Sequence, residues 1–132
     1  MKVLTLFEPY ATLIKEKTKY IETRSWKTFY RGELYIHVSK KHLSKIEEER
    51  YKEILKLIKD KNFKYGYIIA KCNLVDCVIM DDEFLKKIKN SNQEKFGIYA
   101  KGRYAWILEN IEPLDKTIEV KGKLGIWNYE SI

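Results

Sequence analysis

Residues 17–39, KTKYIETRSWKTFYRGELYIHVS, carry the pattern that most limits how this chain can fold. An extended backbone sends successive side chains to opposite faces. Over Tyr20–Trp26 this puts Tyr20, Glu22, Arg24 and Trp26 on one face, and Ile21, Thr23 and Ser25 on the other. A Tyr-Arg-Gly turn at Tyr30–Gly32 leads into a second strand, Gly32–Ser39. There Leu34, Ile36 and Val38 form an apolar face, and Tyr35, His37 and Ser39 a polar one. A carboxylate, a guanidinium, an indole and an imidazole are thereby directed toward one concavity. Charged side chains are rarely buried without partners. The Glu22–Arg24 face therefore reads either as a ligand-facing surface or as an exposed same-face ion pair.

The rest of the chain alternates short strands with helices. Residues 2–7 form a first strand, and Glu8-Pro9 opens a helix to about Lys17, with Pro suited to the first turn. Ser44-Lys-Ile-Glu47 is a capping box that starts a helix to Lys61, a solvated cover with mixed charge on both faces. A long strand covers Gly66–Met80, bent or bulged near Asn73, and a short helix covers Glu83–Asn90. The polar stretch Asn90–Lys95 reads as a mobile loop. A strand at Arg103–Ile111 is broken by Glu112-Pro113, and Thr117–Val120 and Ile126–Tyr129 follow as short strands. The order predicts a single α+β domain over 1–132. Its centre is a small curled β-barrel of about six strands, with two to three peripheral helices.

Composition excludes several function classes. The 132 residues bury a real core, and 45% hydrophobic content argues against disorder. No apolar run approaches the roughly 18 residues of a membrane span, and the start lacks the pattern of a signal peptide. The expectation is a cytoplasmic protein that does not engage membranes. Cys72 and Cys77 fit neither a CxxC motif nor a disulfide framework, and on a regular strand they point to opposite faces as small buried hydrophobes. His37 and His42 lack metal-ligand spacing, so no metal is expected. No Gly-rich phosphate loop follows a strand, so no nucleotide cofactor is implied. The net charge of +7 favours polyanionic partners, though 22 of the 26 basic residues are Lys, which base composition also produces.

KTKYIETR matches the pattern G-x-K-x-x-E-x-R at Lys19, Glu22 and Arg24, with Lys17 in place of the glycine. Flanking segments agree in order: EPYATLI, YRGELYIHVSK, FGIYAKGRYAWILENIEPL and VKGKLGIWNY. On these residues the chain resembles the ASCH family (activating signal cointegrator homology) of the PUA-like group. The resemblance implies a barrel whose cleft takes RNA or a modified nucleoside. Some family members resemble enzymes, either an amidohydrolase acting on N-acylated cytidine or proteins that cleave single-stranded RNA. The amidohydrolase branch has a Thr where this chain has Glu22. It also has a later carboxylate where this chain has Cys72-Asn73, with Asp76 nearest.

Within that frame, Lys19 is a general base or nucleophile if burial lowers its pKa, and otherwise a solvated lysine. On a regular strand its side chain opposes that of Glu22, so a turn or bulge is needed to bring the two together. Glu22 either accepts a hydrogen bond from a base amino group or pairs with Arg24 or Lys19. Trp26 and Tyr10 either flank a base by stacking or belong to the core. Arg103 and Tyr104, with Arg31, are candidates for gripping phosphate, and His37 and Ser39 face the inferred cleft. Trp106 and Trp127 are assigned to the core. The favoured function is recognition of single-stranded RNA or a modified nucleotide, with double-stranded DNA less suited. The alternative is a metal-independent hydrolase with Lys19 and Glu22 in acid–base roles.

Overall fold

A computed structural model describes residues 1–130. Its strands are β1 (Lys2–Leu6), β2 (Ile21–Arg24), β3 (Gly32–Val38), β4 (Tyr67–Ile79), β5 (Tyr104–Glu119) and β6 (Ile126–Asn128). They form one curled half-barrel sheet in the order β2-β5-β4-β3-β1-β6, in which β1 and β3 run parallel and the other pairs antiparallel. Helix α1 (Tyr10–Lys15) carries the chain from β1 to the far edge at β2 and buries Ala11, Leu13 and Ile14. The main core joins Ala11 and Ile14 of α1 to Leu4, Leu34, Ile36, Leu74 and Trp106 of four strands. A second cluster, Val3, Ile68 and Trp127, covers the opposite face of the sheet.

Local irregularities re-aim several side chains. Along β4, Val75 and Asp76 are both exposed, and the ladder to β5 shifts between Leu74 and Asp76. The extra residue restores the inward direction at Cys77, so Cys72 and Cys77 enter the same core cluster instead of opposite faces. A shift between Ile36 and His37 acts similarly in β3, where Ile36, His37 and Val38 are all buried. His37 is therefore not on an open polar face. Glu112-Pro113 does not end a strand, because β5 runs on through Pro113, which pairs with Ala70. Proline lacks an N–H donor and is confined to strand edges. Here β2 pairs only with Tyr104–Ile107, which leaves the other side of Pro113 without a strand neighbour among the described residues.

The long helix expected over Ser44–Lys61 is two short ones, α2 (Lys45–Arg50) and α3 (Lys52–Leu55), parted at Tyr51. The Ser44–Glu47 capping box forms, and neither helix buries a residue. Tyr51 packs edge-on against Tyr10, with ring centroids 5.7 Å apart. After α4 (Asp82–Ile88), the stretch expected as a mobile loop folds into a 3-10 helix, Asn92–Phe96. Its Gln93 is buried, accepting from the Tyr20 N–H at 2.9 Å and donating to the Thr18 carbonyl at 2.9 Å. Gly97 then passes so close to Thr23 that a Cβ there would meet Thr23 Oγ1 at 2.6 Å.

Helix α1 ends where the sequence pattern departs from its glycine. Lys17 has φ 66°, the left-handed conformation. The Thr18 N–H donates to the Leu13 carbonyl at 3.0 Å and the Lys17 N–H to the Ile14 carbonyl at 2.8 Å. These two bonds make a Schellman cap, which favours glycine at the left-handed position. A side chain there costs about 1–2 kcal/mol, part of which glycine loses again through its larger unfolded-state entropy. Lys17→Gly is expected to stabilise the fold by about 0.5–1 kcal/mol, read from urea unfolding; a destabilised variant would show that this turn is not under backbone strain.

Candidate functional site

The left-handed turn at Lys17 delivers Lys19 just ahead of β2, outside the strand ladder. Its side chain therefore does not oppose that of Glu22 but folds beneath the strand, only 1% exposed. The ammonium donates to the Ile21 carbonyl at 2.8 Å and to the Phe96 carbonyl, and lies 3.4 Å from Glu22 Oε1. Those three partners match its three N–H donors. The Tyr10 ring lies 5.2 Å from Nζ and adds a cation–π contact. Burial pulls the Lys19 pKa below its ordinary value, the Glu22 carboxylate opposes that pull, and Arg24 adds to it.

Glu22 is held from both sides. Its Oε1 faces Lys19, and its Oε2 accepts from Arg24 Nε at 2.8 Å. Arg24 in turn donates through Nη2 to the Thr5 carbonyl at 3.1 Å. β1 and β2 are not neighbours in the sheet, so this bond crosses the opening of the curl. Arg24 also lies 6.0 Å from the Trp106 ring, which is fully buried.

Above this pair opens a cleft of about 300 Å³. Glu22 and Arg24 meet the aromatic rings of Phe7, Tyr10 and Trp26 there, and Arg103 closes one end. Trp26 lies beyond the end of β2, 38% exposed, with its ring edge-to-face on Trp106 at 4.8 Å. Burial, then the neighbouring Tyr51 hydroxyl and then Glu22, raise the Tyr10 pKa, so the phenol stays protonated. Arg103 is held by donating from Nε to the Ile98 carbonyl at 3.0 Å.

A second hollow of about 430 Å³ adjoins the first, sharing Thr5, Leu6, Phe7 and Arg24 with it. Ser39 and His37 line it, together with Lys40 and the loop Lys121–Gly125. His37 is 1% exposed and fully bonded. Its Nε2–H donates to the Val120 carbonyl at 2.7 Å, and its Nδ1 accepts from the Thr5 hydroxyl at 3.1 Å. Thr5 Oγ1 accepts in turn from Trp127 Nε1–H at 3.0 Å. This relay fixes one neutral tautomer, and burial lowers the His37 pKa. The two remaining candidates lie elsewhere. Arg31 donates to the Thr28 and Tyr30 carbonyls and approaches Asp76 at 3.7 Å, while Tyr104 packs, partly buried, against the main core. Asp76 is occupied with Arg31 and lines neither hollow.

The same arrangement of segments appears in known proteins. The ASCH domain profile matches residues 4–118. The chain belongs to the ASCH domain family. The mouse and human proteins named activating signal cointegrator 1 are each 25% identical over 134 residues, covering 97% of this chain and 22% of their own length. This ASCH domain thus spans about a fifth of those relatives. Two solved structures of an ASCH protein from Zymomonas mobilis, one a tyrosine-to-phenylalanine mutant, superpose with TM-score 0.56 at 16% identity. They cover 89% of this chain and 74% and 72% of their own, and establish the shared fold.

Several cleft residues of this ASCH domain escape sequence reasoning. Phe7 reads as the end of an apolar strand, yet it is 59% exposed beside Trp26 in the cleft wall. Lys121 and Lys123 lie in the flanking segment VKGKLGIWNY but are not singled out there, and the signal they carry is two cations around a glycine. Gln93 carried no signal, because a polar residue in a polar run looks like loop.

Two outcomes follow from the buried polar groups. Lys19→Met removes the ammonium that balances a nearly buried carboxylate, and is expected to cost about 3–5 kcal/mol in urea unfolding; a loss under about 1 kcal/mol would mean that Lys19 is not integral to the site. For His37, folding lowers the pKa below 6.5, so the unfolded chain takes up the proton first as pH falls. Its contribution to stability is complete above that value and shrinks as pH drops through 6.5 toward the folded pKa. The wild type should therefore lose more stability between pH 8 and 5.5 than His37→Asn, compared by urea midpoints; parallel profiles would contradict this.

Proposed function

We propose that this ASCH domain binds single-stranded RNA or a modified nucleotide, taking one unpaired base into the cleft above Glu22 and Arg24. The supporting observation is the pairing of a fixed acceptor and a fixed donor at the floor of an aromatic-walled cleft. Glu22 is locked between Lys19 and Arg24, and Trp26, Tyr10 and Phe7 offer ring faces or edges around it. Unpaired bases are recognised by stacking and by hydrogen bonds to their edges. A carboxylate accepts from a base amino group while a guanidinium donates to a ring nitrogen or carbonyl. The net charge of +7 favours a polyanion. Double-stranded DNA draws less support, since among the described residues the longest helix, α4, has seven residues, too few to read a groove.

Hydrolysis draws less support than binding. Lys19 fits the role of a positioning residue for Glu22, because a nucleophilic or basic amine would have to give up one of its three fixed partners and turn its lone pair toward a substrate, while the side chain is only 1% exposed. Titration of a fluorescent single-stranded RNA 12-mer checks both readings. Trp26→Ala should lose about 1–3 kcal/mol of affinity by removing one stacking surface. Arg24→Ala should weaken binding and flatten its salt dependence by about one unit, with the RNA intact on a denaturing gel. RNA shortened by the wild type alone would favour the hydrolase, and equal affinity in all three proteins would remove the cleft from recognition.

A further inference from the structure

The two adjoining hollows differ in charge. Glu22 offsets the arginines of the first, whereas the second is lined by Arg24, Lys40, Lys121 and Lys123 with no carboxylate among its walls. Among the described residues, Lys40, Lys121 and Lys123 make no salt bridge, although Lys41 beside them pairs with Glu47 at 2.9 Å. Three uncompensated ammonium groups brought around one hollow repel each other, and an anion between them relieves that repulsion.

The loop carrying two of these lysines is anchored from below. The His37 Nε2–H donates to the Val120 carbonyl, just ahead of Lys121. Gly122 sits so close to the same ring that a Cβ would meet His37 Cε1 and Thr5 Oγ1, each at 2.8 Å. The buried imidazole thus seats the loop against β1 and sets where Lys121 and Lys123 emerge. β1 is also the wall that both hollows share, through Thr5 and Leu6 with Phe7 beyond it, and Arg24 reaches both.

We propose that the second hollow is a phosphate site: it holds the phosphate of the nucleotide whose base enters the first, with Lys40, Lys121 and Lys123 as its ligands and Arg24 at the junction. This deepens the base-binding reading and rests on it. It makes a nucleotide, not a free nucleoside, the ligand class. Leu124, 98% exposed at the rim, offers an apolar surface for the sugar. The phosphate comes either from an internal RNA linkage or from a mononucleotide.

Amide and indole NMR shifts of the full chain separate these cases. The probes are an equimolar mixture of the four ribonucleosides, the four 5′-monophosphates, inorganic phosphate, and an RNA 8-mer without terminal phosphates. Nucleosides should move the Trp26 indole and leave the Gly122 amide in place, and phosphate should move the Gly122 amide alone; Gly125 packs near the Trp26 ring and reports on both. The monophosphates, the 8-mer or both should move the Trp26 indole and the Gly122 amide together, which identifies the source. In Lys121→Gln/Lys123→Gln the phosphate-induced shifts should vanish, and nucleotide affinity should fall about tenfold. An unmoved Gly122 amide with every phosphate-bearing probe would overturn the proposal, as would shifts of equal size at Lys52 and Lys56. Trp26 responding without Gly122 leaves the base cleft standing and removes the phosphate site. Gly122 responding while Trp26 stays silent removes the base cleft, and with it the link between base and phosphate.

Discussion

The buried ammonium of Lys19 is the constraint on which the rest of this ASCH domain depends. Taking a charge out of water costs several kcal/mol unless every donor finds a partner. Here the partners come from three places: the start of β2 at Ile21, the end of the 3-10 helix at Phe96, and the Glu22 carboxylate. Satisfying one lysine therefore fixes the path of the distant Asn92–Phe96 segment relative to the edge strand. Gln93 repeats the connection through the Tyr20 and Thr18 backbone, so the edge is tied to the same helix twice.

From Lys19 the ordering passes outward by charge. Glu22, balanced by the ammonium, holds Arg24, and Arg24 reaches the Thr5 carbonyl across the open side of the curl. A sheet whose edge strands β2 and β6 are unpaired with each other is thus drawn together by side chains, where a closed barrel uses a backbone ladder. The cost is a cluster of fixed polar groups at the seam. Those groups form a preorganised surface, and under the proposed function its side chains would lose little freedom on binding a ligand.

Much of this was legible before the structure. The shared face of Glu22 and Arg24, the apolar face of Leu34, Ile36 and Val38, the capping box at Ser44 and the family pattern at Lys19, Glu22 and Arg24 all report local rules, and those survive folding. What was not legible depends on residues that break the period. One extra residue near Val75 turned Cys77 inward, and the irregularity at Ile36 took His37 from a polar face into a buried relay. Imidazole suits a ligand site or a structural hydrogen-bond hub equally well, and only the positions of Thr5, Trp127 and Val120 decide between them. The break at Tyr51 and the docking of Asn92–Phe96 likewise follow from tertiary contacts that no local window contains.

Proline in the long fifth strand has a consequence for life in a crowded solution. Past Ile107, one flank of β5 has no strand beside it among the described residues, a row of peptide groups of the kind that recruits strands from other molecules. That row is interrupted by Pro113, which lacks a donor, and carries exposed Glu109, Glu112, Asp115, Lys116 and Glu119. An incoming strand would meet a missing hydrogen bond and a run of charged side chains. The sheet can therefore stay half open without offering this flank as a template for amyloid-like stacking.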